Sequence, residues 1–213
     1  MQLQLDEFQD IWQDAFARLG KQAPDLAPLL QAWQQPHRHY HTLQHLSECL
    51  TWWQQYQAIA ARPELLALAL FFHDAIYDVP GFASSAYPGV DNESRSAAWA
   101  ADCLHQAGVS ADDIAQVVGH ILATRHQAGV RRDELTIDRQ LLLDIDLAIL
   151  AASPERFAQY QQQIRAEYRQ VPTLFYWWKR RQVLRFFLQQ PQLFCTPVLS
   201  HLNVLAQKNL RTA

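Results

Sequence analysis

Two side chains that bind metals and move protons, His73 and Asp74, interrupt an apolar run from Leu65 to Phe72. An imidazole and a carboxylate placed inside such a segment cost free energy unless they are paired, hydrogen-bonded or metal-bound. A cation would satisfy both at once. His41 and His45 are four apart, on a helix or at its entrance, and so share a face. They offer two ligands, or one ligand and one acid. Asp144 and Asp146 break a second apolar stretch, Leu142 to Leu147. Two residues apart on a helix, their carboxylates point in nearly opposite directions, so one of them faces any shared site. Charged groups are rare in apolar helices without a partner. His45, His73, Asp74 and one of this acidic pair therefore suggest a two-His, two-carboxylate centre assembled from several helices.

The order His45, His73-Asp74, Asp146 resembles the HD superfamily of metal-dependent phosphohydrolases, and most closely a bacterial group of predicted HD phosphohydrolases. The shared features are Tyr40-His41 with His45, Phe72-His73-Asp74-Ala75-Ile76-Tyr77-Asp78, Asp91-Asn92-Glu93 followed by Ser96-Ala97, Ala123-Thr124 with His126, and Asp144-Ile145-Asp146-Leu147. They extend over residues 38 to 190. The resemblance selects Asp146 over Asp144, because a Leu follows it. It implies an all-α, single-domain helical bundle of the HD type, with metal ligands His45, His73, Asp74 and Asp146.

The implied activity is hydrolysis of a nucleotide or another small phosphate ester by a metal-activated water. A mixed nitrogen and oxygen ligand set suits a divalent ion such as Mn, Fe, Co, Ni, Zn or Mg. His41 has the spacing of the acid in related cyclic-nucleotide phosphodiesterases, and otherwise reads as a capping or core histidine. Asp74 belongs to the catalytic set as well as the ligand set. Glu93 is either a general acid or base or a first-turn glutamate favoured by the helix dipole. Arg38, Arg125, His126 and Arg180 are the candidates for binding substrate phosphate, since basic side chains meet phosphate oxygens well. His120 and His126 are also candidates for a second metal. Two alternatives carry different chemistry: an HD-fold di-iron oxygenase using His120 and His126, and a non-catalytic binding module stabilised by its metal.

The composition agrees with this picture and bounds it. The chain has 213 residues, is 49% hydrophobic, is poor in Gly and carries a net charge of -3. That length supports a sizeable core, and the mix favours helix. The charge gives no basic footprint for duplex nucleic acid. Cys49, Cys103 and Cys195 are scattered, as expected of reduced thiols in a cytoplasmic protein. No signal-peptide pattern is visible, and the longest apolar run is too short to span a bilayer. The expected partner is a small phosphate-bearing substrate, with neither membrane nor duplex nucleic acid involved.

Apolar spacing and stop signals predict the positioning elements. Helices are expected over 4–19, between Pro24 and Pro36, from about residue 40 to 60, over 63–77 with His73-Asp74 near its end, 92–107, 110–125, 136–151, 154–170, 172–191 and 197–209. A long loop is expected over 79–90. The chain reads as one domain over 1–213, its metal-site core at about 38–151 and its C-terminal helices, 153–210, packed on that core. Phe175-Tyr176-Trp177-Trp178 reads as core.

Overall fold

Ten α-helices and no strand appear among the described residues of a computed structural model, which are 3–79, 91–126 and 131–213. Their order is α1 (Leu5–Arg18), α2 (Ala27–Ala32), α3 (Leu43–Tyr56), α4 (Pro63–Phe72), α5 (Asn92–Gln106), α6 (Ala111–Ala123), α7 (Ile137–Asp146), α8 (Pro154–Glu167), α9 (Thr173–Leu188) and α10 (Leu202–Thr212). The protein is an all-α bundle with one continuous hydrophobic core. The expected loop at 79–90 lies, apart from Val79, outside the described residues.

The bundle is organised around α4. Its sequence, PELLALALFF, is apolar on every side, and every residue from Glu64 to Phe72 is buried. A helix of that kind has no solvent face and belongs at the centre of a bundle. It packs against α1, α3, α5, α6 and α7. Each of its leucines and phenylalanines contributes about 1.5–3 kcal/mol of gross burial. The α1 contact is aromatic: Trp12 meets Phe71 edge-on at 5.2 Å between ring centroids, and Phe8 meets Phe71 at 6.5 Å. Asp138 of α7 anchors the start of α4 by accepting hydrogen bonds from the N–H groups of Ala61 (2.6 Å) and Arg62 (2.9 Å).

Three helix ends differ from the expectation. The helix expected to reach residue 77 stops at Phe72, with His73 as its C-cap. The cause is competition for carbonyls by side chains from elsewhere. His73 Nδ1–H donates to Leu70 O (2.8 Å) and Trp33 Nε1–H to Phe71 O (3.0 Å). Arg38 donates to Asp74 O (2.6 Å) and Ala75 O (2.8 Å). The segment expected from about residue 40 becomes helical at Leu43, where Thr42 Oγ1 accepts from Gln44 N–H. The last helix begins at Leu202, not 197, because Pro197 to His201 forms turns in which Asn203 Oδ1 accepts the N–H groups of Leu193 and Phe194. Past Asp146 the chain tightens into a 3₁₀ turn, Leu147–Ala151, on which α8 and α10 pack.

The aromatic run in α9 is also not core. Tyr176 is buried, but Phe175, Trp177 and Trp178 are about half exposed and Leu174 almost fully. α9 lies at the edge of the bundle and turns one narrow stripe, including Tyr176 and Leu184, inward.

Candidate metal centre

The four expected ligands converge at the C-terminal end of α4. His45 comes from α3, His73 caps α4, Asp74 follows it in the turn and Asp146 ends α7. His45 Nε2 lies 3.2 Å from His73 Nε2, 3.4 Å from Asp146 Oδ1 and 3.8 Å from Asp74 Oδ2. His73 Nε2 lies 3.2 Å from Asp74 Oδ2 and 3.6 Å from Asp146 Oδ1. A cation held at about 2.0–2.2 Å by N and O ligands spaces neighbouring ligand atoms roughly 3.0–3.5 Å apart. Three of these five spacings fall in that range and two, at 3.6 and 3.8 Å, lie just beyond it, and the donor set suits such an ion in its chemistry.

The surrounding groups orient these ligands. Donation from His73 Nδ1–H to Leu70 O leaves Nε2 free to coordinate, the usual arrangement for a ligand histidine. His126 Nε2 lies 3.0 Å from Asp146 Oδ2, so it braces the ligand carboxylate. His126 holds a positive φ of 47° to do this, a conformation uncommon outside Gly. Burial alone would raise the carboxyl of Asp146, yet the hydrogen bonds from His126, His45 and His73 hold it well below the usual range. At Asp74 the neighbouring His73 and His41 likewise overcome burial and lower the carboxyl. The C-terminal end of α4 adds the negative pole of its dipole, which favours a cation.

Asp144 faces the other way, as expected of its spacing from Asp146. Fully buried, it accepts from Cys195 N–H (3.0 Å), Thr196 N–H (2.8 Å), Thr196 Oγ1–H (2.7 Å) and Arg132 Nη2 (3.2 Å). It ties the segment before α10 to α7.

His41 stands beside the centre with Nε2 3.8 Å from Asp74 Oδ2. Its Nδ1 lies 2.9 Å from Glu167 Oε2 and its ring stacks on Tyr77 at 3.8 Å. Glu167 Oε1 accepts the N–H groups of His39, Tyr40 and His41 at 2.8–2.9 Å. Burial opposes charge on both partners, but the pair's attraction wins: His41 is raised and Glu167 is lowered to about 2. The sequence reading missed Glu167. Its signal was a glutamate continuing the inward stripe Phe157, Tyr160, Ile164 of α8. Cys49 was missed too. Its thiol, with His45, His73 and Asp146, falls within a 4.8 Å ligand cluster. Asp74 Oδ2 also lies within 3.8 Å of the Nε2 atoms of both His45 and His73, and Cys49 Sγ sits 3.7 and 3.8 Å from the two ring nitrogens of His45.

His41, Asp74, Glu93, Arg125, His126 and Asp146 all line one open cavity of about 540 Å³. Burial and the Asp74 charge raise the Glu93 carboxyl. Arg180 lies further out, over the Tyr160 ring at 5.0 Å, in an adjoining aromatic groove. Two expectations need correction. Arg38 does not face the cavity: it is 4% exposed, and its guanidinium donates to the carbonyls of His41, Asp74 and Ala75 and to Gln35 Oε1. His120 is not at the centre either. It is buried beside Arg139 with neither ring nitrogen hydrogen-bonded among the described residues, and burial with that positive neighbour lowers it to about 4. Comparison with protein-family models, curated proteins and solved structures returned no match to this chain.

Proposed function

We propose that this protein is a metal-dependent phosphohydrolase of the HD type, acting on a small phosphate ester such as a nucleotide. The observation that carries the reading is the gathering of His45, His73, Asp74 and Asp146, each histidine Nε2 lying 3.2–3.8 Å from the other and from both carboxylates, beside an open cavity that Asp74 and Asp146 line, with a histidine-carboxylate pair, His41 and Glu167, alongside. Those four ligands would hold a divalent cation, which supplies the Lewis acidity that acidifies water and polarises a phosphoryl group.

The chain's own residues supply the rest. His41, whose charged form Glu167 favours, is placed to give a proton to the departing alkoxide. The Nδ1–H bond to Glu167 fixes the ring so that Nε2 carries the transferable proton. Arg125 lines the same cavity and offers a guanidinium to an anionic group of the substrate. Glu93, with its carboxyl raised, is a second proton carrier at the rim. The di-iron alternative is weaker, because His120 lies beside Arg139 and away from the centre.

The test is elemental analysis of the purified protein with a screen of nucleotides and chromogenic phosphate esters under Mn²⁺, Co²⁺, Ni²⁺, Zn²⁺ and Mg²⁺. Turnover that requires a metal and disappears in Asp146→Asn supports the reading. No turnover with any of these metals across the panel overturns it.

A further inference from the structure

A second cavity, of about 300 Å³, adjoins the first and shares Arg125, His126, Leu147, Phe186 and Phe187 with it. Its polar lining is strongly cationic. Arg125, Arg132 and Arg139 all face it, and each has a buried Nε with no hydrogen-bond partner among the described residues. Buried donors are normally paired, charged ones above all, so three orphans around one cavity call for a shared acceptor.

The carboxylates at hand do not fill that role. Asp144 and the Leu193 carbonyl take the terminal nitrogens of Arg132, and Asp91 (3.0 Å) and the Ser94 hydroxyl share Nη2 of Arg125, so the Nε of each stays unpartnered among the described residues. Arg139 has no carboxylate within salt-bridge distance among the described residues. Its chain neighbour Asp138 turns away to the N–H groups of Ala61 and Arg62. His120 does not fill the role either, since neither of its ring nitrogens is bonded to Arg139 among the described residues. Gly119 leaves room for the guanidinium: a Cβ there would stand 2.7 Å from Arg139 Nη2. The rest of the wall is apolar, with Leu143 and Phe187 among it.

We infer that this cavity is an anion subsite in which Arg125, Arg132 and Arg139 hold a phosphate or carboxylate of the same molecule whose phosphoryl group lies at the metal centre. The substrate then carries two separated anionic groups joined by a body that is apolar where it passes Phe187 and Leu147. The statement that both groups belong to one molecule rests on the phosphohydrolase reading; the anion site itself does not. His126 marks the junction, since it lines both cavities and touches Asp146.

The test begins with full-length protein stripped of metal by a chelator, so that the centre offers no cation to bind anions. Calorimetric titration with inorganic phosphate, pyrophosphate and acetate should show one saturable site per chain for at least one of them, with a Kd of about 1 mM or tighter. The arm that binds tells phosphate from carboxylate. Arg139→Gln should weaken binding about tenfold or more, and the exposed control Arg131→Gln should leave it unchanged. If Arg139→Gln does not fold, Arg139→Lys keeps the charge, loses the planar fork and should weaken binding less. In metal-loaded protein, Arg139→Gln should raise KM for a nucleoside bisphosphate about tenfold, with kcat and the KM for p-nitrophenyl phosphate little changed. Absence of saturable anion binding by the wild type, or equal binding by Arg139→Gln, overturns the subsite. Metal-free anion binding without turnover under any metal leaves the subsite standing and defeats the hydrolytic reading; turnover without anion binding does the reverse.

Discussion

His41 Nδ1 lies 2.9 Å from Glu167 Oε2 across 126 residues of chain. That bond joins the entrance of α3 to the end of α8 and gives the histidine next to the ligands a buried counter-charge. Glu167→Gln keeps an acceptor for the three backbone N–H groups but removes the charge. It should lower the pKa of His41 and move the alkaline limb of the kcat profile to lower pH. A stability loss of about 1–3 kcal/mol in denaturant titration should accompany it, as for other weakened buried networks.

His41→Ala should separate chemistry from metal binding. Turnover of an alkyl phosphate should fall about 10²-fold or more, the range for loss of a general acid. p-Nitrophenyl phosphate, whose leaving group needs no proton, should be affected much less, and metal content should not change. Equal losses on both substrates would remove His41 from the acid role.

Metal removal should be visible as stability. A cation present at about 100 times its Kd stabilises the folded state by about 2.7 kcal/mol. Chelator should therefore lower Tm for the wild type and have no effect on His73→Ala or Asp146→Asn. Arg38→Met should weaken metal binding about 10–100-fold, as losses around ligands commonly do, by releasing the Asp74 and Ala75 carbonyls. Metal titration monitored by Tm checks both.

His120 gives a stability signature in a defined pH window. Its folded pKa is about 4 against an ordinary 6.5, so between these values the unfolded chain holds a proton that the folded chain does not. Stability should fall as pH drops from 6.5 towards 4, at about 1.4 kcal/mol per pH unit at the steepest. Glu167, lowered to about 2 from 4.5, is stabilising above pH 4.5 and loses that contribution on the way down to 2. His41 is raised, so its contribution is complete below pH 6.5 and is lost above it as pH rises through its folded value. Between 6.5 and 4.5 the raised carboxyls of Glu93 and Asp144 work in the opposite sense, so His120 is read as the part of the slope that its removal takes away. In chelator-treated protein, His120→Leu should flatten it, and at pH 7 should be neutral or slightly stabilising because two unpaired nitrogens leave the core.

How much of this could be read from the residues alone follows from where each signal resides. The helices and the gathering of His45, His73 and Asp146 were legible because α4 is apolar on all sides up to His73, and because His45 and Asp146 break similar patterns. The early end of α4 was not, since Trp33 and Arg38 take its carbonyls from 38 and 36 residues away, and no local rule encodes that. Arg38 was misread for the same reason: an arginine beside a histidine pair suits phosphate as well as carbonyls. Glu167 was hidden among the polar residues of α8. The exposed aromatics of α9 misled because residue type says what a side chain prefers, and position in the bundle decides what it obtains.

The turn after α4 is bolted down by side chains from four separate places: Trp33, Arg38, Ser96 and Asn92. None of these bolts is itself a ligand. His73 and Asp74 are consequently placed by protein contacts alone, and under the proposed reading an ion would dock into that frame. Such a frame would rank rival ions by size and preferred coordination.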